Sequence, residues 1–111
     1  MEKWRKISPS LDFIAKLSKD QRIQFLKSAK PKTIRLLSNF VYNLITPGHC
    51  PLSPDIVNKI RPMKSQLLAI AQKSRSLSQR KKDLMAKDLI GRLLNVMMPY
   101  LNDLLFSKST E

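Results

Sequence analysis

Apolar residues in this chain recur at three- and four-residue intervals, and almost nothing in it can turn a strand back on itself. Ile34, Leu37, Phe40, Val41, Leu44 and Ile45 form one stripe; Ile56, Ile60, Met63, Leu67 and Ile70 form a second; Ala86, Ile90, Leu93, Met97, Leu101, Leu104 and Leu105 form a third. A period of about 3.6 residues places each set on one face of a helix. The 111 residues include two glycines, no Asn-Gly or Asp-Gly pair, and no long alternating run of β-branched and aromatic residues, so hairpins have no material. Apolar residues make up 42% of the chain, too much for a disordered basic tail. The expected fold is all-α: a compact single-domain bundle of four to five helices with a long amphipathic C-terminal helix. One domain is expected over 1–111, with 1–9 and 107–111 frayed.

Local signals place the helix ends. Ser10 offers a cap to a short helix carrying Leu11, Phe13, Ile14 and Leu17, and Ser18 with Gln21 makes a capping box for a second, over about 19–29. Pro31 suits the opening turn of a third helix, which Pro47-Gly48 ends. Ser53-Pro54-Asp55 gives the cap, first-turn proline and early acid of a fourth, reaching about Gln72, although Pro62 must kink or split it. Ser78 is the expected cap of the last helix, from Gln79 towards Phe106, with a bend at Pro99. Leu94, Met98 and Phe106 widen the apolar face of that helix beyond half its circumference. Such a helix is either the central one of a bundle or, through those three residues, a surface for self-association.

The charge is segregated. Between Gln21 and Lys82 stand thirteen basic side chains and one acid, Asp55, so this segment carries a net +12 of the chain's +13. Ordinary surfaces intersperse both signs, and an excess of this size repels itself unless something anionic neutralises it. Nucleic acid is the first candidate partner, a membrane surface the second. With Ser78 as cap, Arg80, Lys81 and Lys82 fall in a first helical turn, against the positive end of the helix dipole, a misfit that a bound phosphate would relieve.

Catalytic chemistry finds little to work with. One histidine, one cysteine and eight scattered carboxylates offer no paired acids and no nucleophile–base–orienter set. His49-Cys50 supplies two metal ligands where zinc takes four, so no metal and no cofactor is expected. Gly48 and Gly91 stand alone, which excludes a phosphate-cradling glycine loop, and no small-molecule substrate is expected. A lone Cys50 forms no internal disulfide, no apolar run approaches the roughly 18 residues of a spanning helix, and no hydrophobic signal core follows Met1. The reading is nuclear or cytoplasmic, or within a virion, and neither secreted nor transmembrane.

What remains is attraction to phosphates. No aromatic residue lies between Asn43 and Pro99, so the most basic stretch has no ring on which to stack bases, and no base-reading helix is recognisable. Sequence-independent binding of duplex DNA through Lys59, Arg61, Lys64, Lys73, Arg75, Arg80, Lys81 and Lys82 is the expectation, with Lys27, Lys30, Lys32 and Arg35, beside Arg22, as a second patch. Two rivals stand beside it. One is a helical interaction module or homo-oligomer acting through Leu94, Met98 and Phe106; the other is a peripheral membrane protein, against which the cations and the apolar helix occupy different parts of the chain.

Pro51-Leu52-Ser53-Pro54, the lysines after it, Leu67 to Lys73, and Ser76 to Met85 resemble small basic proteins encoded by adintoviruses and related polinton-type DNA elements of animals. Lys30-Pro31-Lys32 and Asn43-Leu44 match the same pattern, and the resemblance covers residues 25–106. The chain departs from it at Pro62, where a basic residue is expected, and at Leu89-Ile90-Gly91, where a Gly-Gly-Phe-Leu-Pro run is usual. The resemblance implies an element-encoded protein of the virion core, with genome binding or packaging as its role.

Overall fold

Helix boundaries follow the capping chemistry through the middle of the chain and depart from it at both ends. The computed structural model describes residues 2–46, 52–72 and 74–106, with side chains for 5–46, 52–72 and 74–103. The helices are α1 (Glu2–Lys16), α2 (Lys19–Lys27), α3 (Pro31–Ile45), α4 (Pro54–Ile60), α5 (Lys64–Ala71), α6 (Leu77–Met85) and α7 (Leu89–Phe106). Short 3₁₀ turns, Arg61–Met63 and Ala86–Asp88, join α4 directly to α5 and α6 directly to α7. Taken along these joints, the described residues form five helical segments and no strand, and α7 is the longest helix at 18 residues.

The central caps are as expected. Ser18 Oγ accepts from Gln21 N while Gln21 Oε1 accepts from Ser18 N at 2.9 Å, completing the capping box of α2. Pro31 opens α3, and Ser53 Oγ accepts from Ile56 N at the start of α4. Pro62 kinks its helix without splitting it: Ile60, Arg61, Met63 and Lys64 all keep right-handed helical angles, and one tightened turn absorbs the missing N–H. The Pro47-Gly48 stop and the His49-Cys50 loop lie outside the described residues.

Three boundaries differ from expectation. α1 starts at Glu2, not after Ser10, and continues through Pro9; it packs along α7, and its Leu11 and Ile14 are buried in the core. α6 is capped by Ser76, not Ser78: Ser76 Oγ accepts from Gln79 N and Gln79 Oε1 from Ser76 N, a second capping box. The expected single helix from Gln79 to Phe106 breaks at the Ala86–Asp88 turn, where Lys87 and Asp88 both have φ 53°, the left-handed region that L-residues enter at a cost.

α7 is the central helix. It packs against α1, α4 and α6, and Leu89, Ile90, Leu93, Leu94 and Met97 are each 0% exposed. Removing a side chain of this size from water stabilises by about 1.5–3 kcal/mol. Leu94 and Met98 are therefore core residues, which corrects their assignment to an association surface; the Phe106 side chain lies outside the described residues. Ala86 is exposed, and Leu84 and Leu89 take the place expected for it in the core. The α3 and α4–α5 stripes are buried as expected except at Ile45, which is half-buried; Ile34, Leu37, Phe40, Val41, Leu67 and Ile70 are all closed to solvent.

A side chain from 66 residues away holds the break between α6 and α7. Arg22 Nε and Nη2 donate to Asp88 Oδ1 and Oδ2 at 3.0 and 2.8 Å, and Nη1 donates to the carbonyls of Ala15 and Leu17 at the end of α1. One guanidinium thus ties α1, α2 and the turn before α7. Its pKa is raised above an ordinary arginine's, first by the hydrogen bond to Asp88 and then by that carboxylate's charge, against the opposing effect of burial. Gly91 allows the approach: a Cβ there would stand 2.4 Å from Asp88 Oδ2 and 2.5 Å from Arg22 Nε.

Candidate nucleic-acid interface

Internal ion pairs sort the cations into engaged and free. Arg75 donates from Nε and Nη2 to Asp83 Oδ2 at 3.2 and 2.6 Å, so its charge is matched within the fold. Lys59 pairs with Asp55 across one helical turn at 3.3 Å, both well exposed, an attraction that salt screens. Arg22, placed with the second patch from sequence, is the buried clamp described above and does not reach a ligand. Asp12 pairs with Lys16. Four of the described carboxylates are therefore neutralised locally. Among the described residues, no ion pair or hydrogen bond engages the side chains of Lys27, Lys30, Lys32, Arg35, Arg61, Lys64 or Lys82. All seven are exposed. Lys73 lies outside the described residues.

The fold joins two sequence clusters that stand about fifty residues apart. α6 lies against α2 and α3, and Lys81 Nζ donates to the carbonyls of Lys27 and Ala29 at 3.0 and 3.3 Å. A cation at the last carbonyl of α2, Lys27 O, complements the negative end of its dipole, and Ala29 O lies just beyond it. The bond carries Lys81 to the α2–α3 junction, where Lys27, Lys30 and Lys32 stand, and the exposed Lys82 follows it on α6. Because α6 starts at Leu77, Arg80, Lys81 and Lys82 occupy its second turn, so the expected clash with the helix dipole is absent.

Arg80 extends the same face along α3. Its Nη2 donates to the carbonyl of Gln72 at 2.8 Å, and its side chain lines a pocket with Ser38, Asn39 and Tyr42 of α3 and Ile70 and Ala71 of α5. Arg35, one turn before Asn39, is exposed on α3. Lys27, Lys30, Lys32, Arg35, Arg80, Lys81 and Lys82 thus form one basic region, running about 18 Å along α3 from Lys30 to Tyr42 at 1.5 Å per residue. Arg61 and Lys64 lie elsewhere: they border a groove with Leu44 and Ile45, at the opposite end of α3.

Phe13 and Phe25 pack edge to face with ring centroids 5.7 Å apart, and Phe13 is 55% exposed, at the joint of α1 and α2. Sequence reasoning gave Phe13 only a place in a short helix; how far α2 covers its ring is a tertiary property. Among the described residues no helix is long and apolar enough to cross a membrane, and no three His, Cys, Asp or Glu residues converge as for a metal; His49 and Cys50 lie outside them. In comparisons with known proteins, no family model, no curated protein and no solved structure matches the chain.

Proposed function

We propose that the protein binds duplex DNA without sequence preference, through phosphate contacts made by the basic region of α2, α3 and α6. The observation that carries this reading is the assembly of that region from distant parts of the chain, with Lys27, Lys30, Lys32 and Arg35 exposed and unpaired while the carboxylates on and just after α6, Asp83 and Asp88, are held by Arg75 and Arg22. Duplex DNA presents one charge per about 1.7 Å, so about 18 Å of basic surface faces roughly ten phosphates, enough to engage about six. Flexible lysines with no base-reading partner neutralise phosphates and displace counterions irrespective of sequence. The resemblance of residues 25–106 to small basic proteins of adintoviruses supports a role in the virion core or in genome packaging.

Two multiple variants test it. Lys27, Lys30, Lys32 and Arg35 replaced together by glutamine should lower the log–log salt slope of DNA binding by about 3.5, at about 0.9 for each phosphate no longer neutralised. Arg61 and Lys64 replaced by glutamine should change it far less per charge removed. Equal weakening per charge from either set would mean that bulk charge alone acts and that the assembled region does not.

A further inference from the structure

Phe13 is 55% exposed, and a hollow of about 330 Å³ opens beside it where α1, α2 and α3 meet. Pro9, Phe13, Phe25 and Leu36 give it apolar walls, and the hydroxyls of Ser10 and Thr33 stand among them. Pro9, Ser10 and Phe13 are exposed and Phe25, Thr33 and Leu36 half-buried, so each has surface to offer an incoming group. Among the described residues no hydrogen bond engages either hydroxyl. No carboxylate lines the hollow, whereas exposed cations flank it on two sides: Lys6 lies one helical turn before Ser10 on α1, and Lys32 one turn before Leu36 on α3. A second hollow that touches Phe13 includes Asp20, whose charge repels an anionic chain.

We infer that the hollow between Phe13 and α3 seats one unpaired nucleobase, stacked on the Phe13 ring, while Lys32 and Lys6 attract the phosphates next to it. The inference rests on the DNA-binding reading above and adds to it a preference for overhangs and single-stranded stretches, because a base inside a duplex has no free face. A nucleobase matches the site in three respects: flat faces for the aromatic wall, polar edges for the two hydroxyls, and an anionic backbone for the cations. Lys32 belongs to the basic region, so a strand that leaves a bound duplex there reaches the hollow without crossing acidic surface. No aromatic residue lies between Asn43 and Pro99, so the ring for the cations comes from α1, which the fold brings against α3. Every base has a face to stack, so the seat adds no sequence preference.

The test measures the affinity of the full chain for three labelled DNAs by fluorescence anisotropy. They are a blunt duplex, the same duplex with a short single-stranded overhang, and that overhang made abasic. The last two carry equal numbers of phosphates, so a difference between them reports the bases alone. Wild type should bind the base-bearing overhang about tenfold more tightly than the abasic one, within what one base stacked on an aromatic side chain contributes. Phe13→Ala, at a mostly exposed position, should abolish that difference and leave the affinity for the blunt duplex unchanged, while Phe13→Tyr should keep it. Equal binding of the two overhangs by wild type, a comparison that needs no variant, overturns the seat, as does a difference that survives in Phe13→Ala. Equal overhang binding with the blunt duplex still bound removes the seat and keeps the DNA reading; it is also the outcome for a hollow that receives an apolar side chain of a protein partner. Base-dependent overhang binding with no affinity for the blunt duplex keeps the seat and removes the duplex reading.

Discussion

The Arg22–Asp88 clamp makes a quantitative prediction about stability. The two side chains are 8% and 15% exposed, and breaking one partner of a pair this buried costs about 3–5 kcal/mol when the other charge is stranded. Arg22 keeps its bonds to Ala15 O and Leu17 O when Asp88 changes, which places Asp88→Asn nearer 2 kcal/mol, the size of a hydrogen bond to a charged group. Asparagine also tolerates the left-handed angles at position 88, whereas Asp88→Ala adds about 1–2 kcal/mol of backbone cost and should reach about 4. Arg22→Met should cost about 3 kcal/mol, and Arg22→Met with Asp88→Asn should fall short of the sum by about 2. In a chain of this size each kcal/mol moves Tm by about 4 °C. The raised pKa of Arg22 means that its contribution is complete below the unfolded arginine pKa and is lost only as strong alkali titrates the folded one. The coupling should therefore be the same at about pH 6 and about pH 9. Urea unfolding of the four proteins, followed by circular dichroism, measures it. A coupling under about 0.5 kcal/mol would mean that the two residues act independently and that apolar packing alone holds the turn to α2.

Gly91→Ala should destabilise by about 1–3 kcal/mol, because its Cβ meets a guanidinium and a carboxylate that hold each other in place; an unchanged thermal melt would mean that the clamp shifts freely. Leu94→Glu places a carboxylate in the interior and should abolish the cooperative melt, as should Leu93→Glu, and a folded, monomeric Leu94→Glu would show that this face of α7 is not in the core.

Helices whose ends are set by neighbouring residues were legible in the sequence, and those set by distant ones were not. Ser18 with Gln21, Pro31, and Ser53 with Pro54 act within a turn, and each cap or start stands where its spelling puts it. Ser76 with Gln79 is an equally local signal; choosing Ser78 missed the capping box two residues earlier and shifted the cations of α6 by two positions. The break at Lys87 and Asp88 has no glycine or proline to announce it, and depends on Arg22 at the far side of the chain. α1 runs through Pro9 and packs along α7, a partner no local pattern reveals. In the interface, charge segregation was plain from composition, while the distinction between Arg75, held by Asp83, and Lys82, free in solvent, needed the fold. Leu94 and Met98 share one broad apolar face with Leu93 and Met97, and its width gave no sign of where burial stops.

Binding of the wild-type protein to two duplexes of unrelated sequence, measured across a series of salt concentrations, decides whether phosphate binding is what this chain does. With about six phosphates engaged, log affinity should fall against log salt with a slope near −5, alike for both sequences. A slope near zero, no binding at about 50 mM salt, or a difference of more than about tenfold between the duplexes would contradict it.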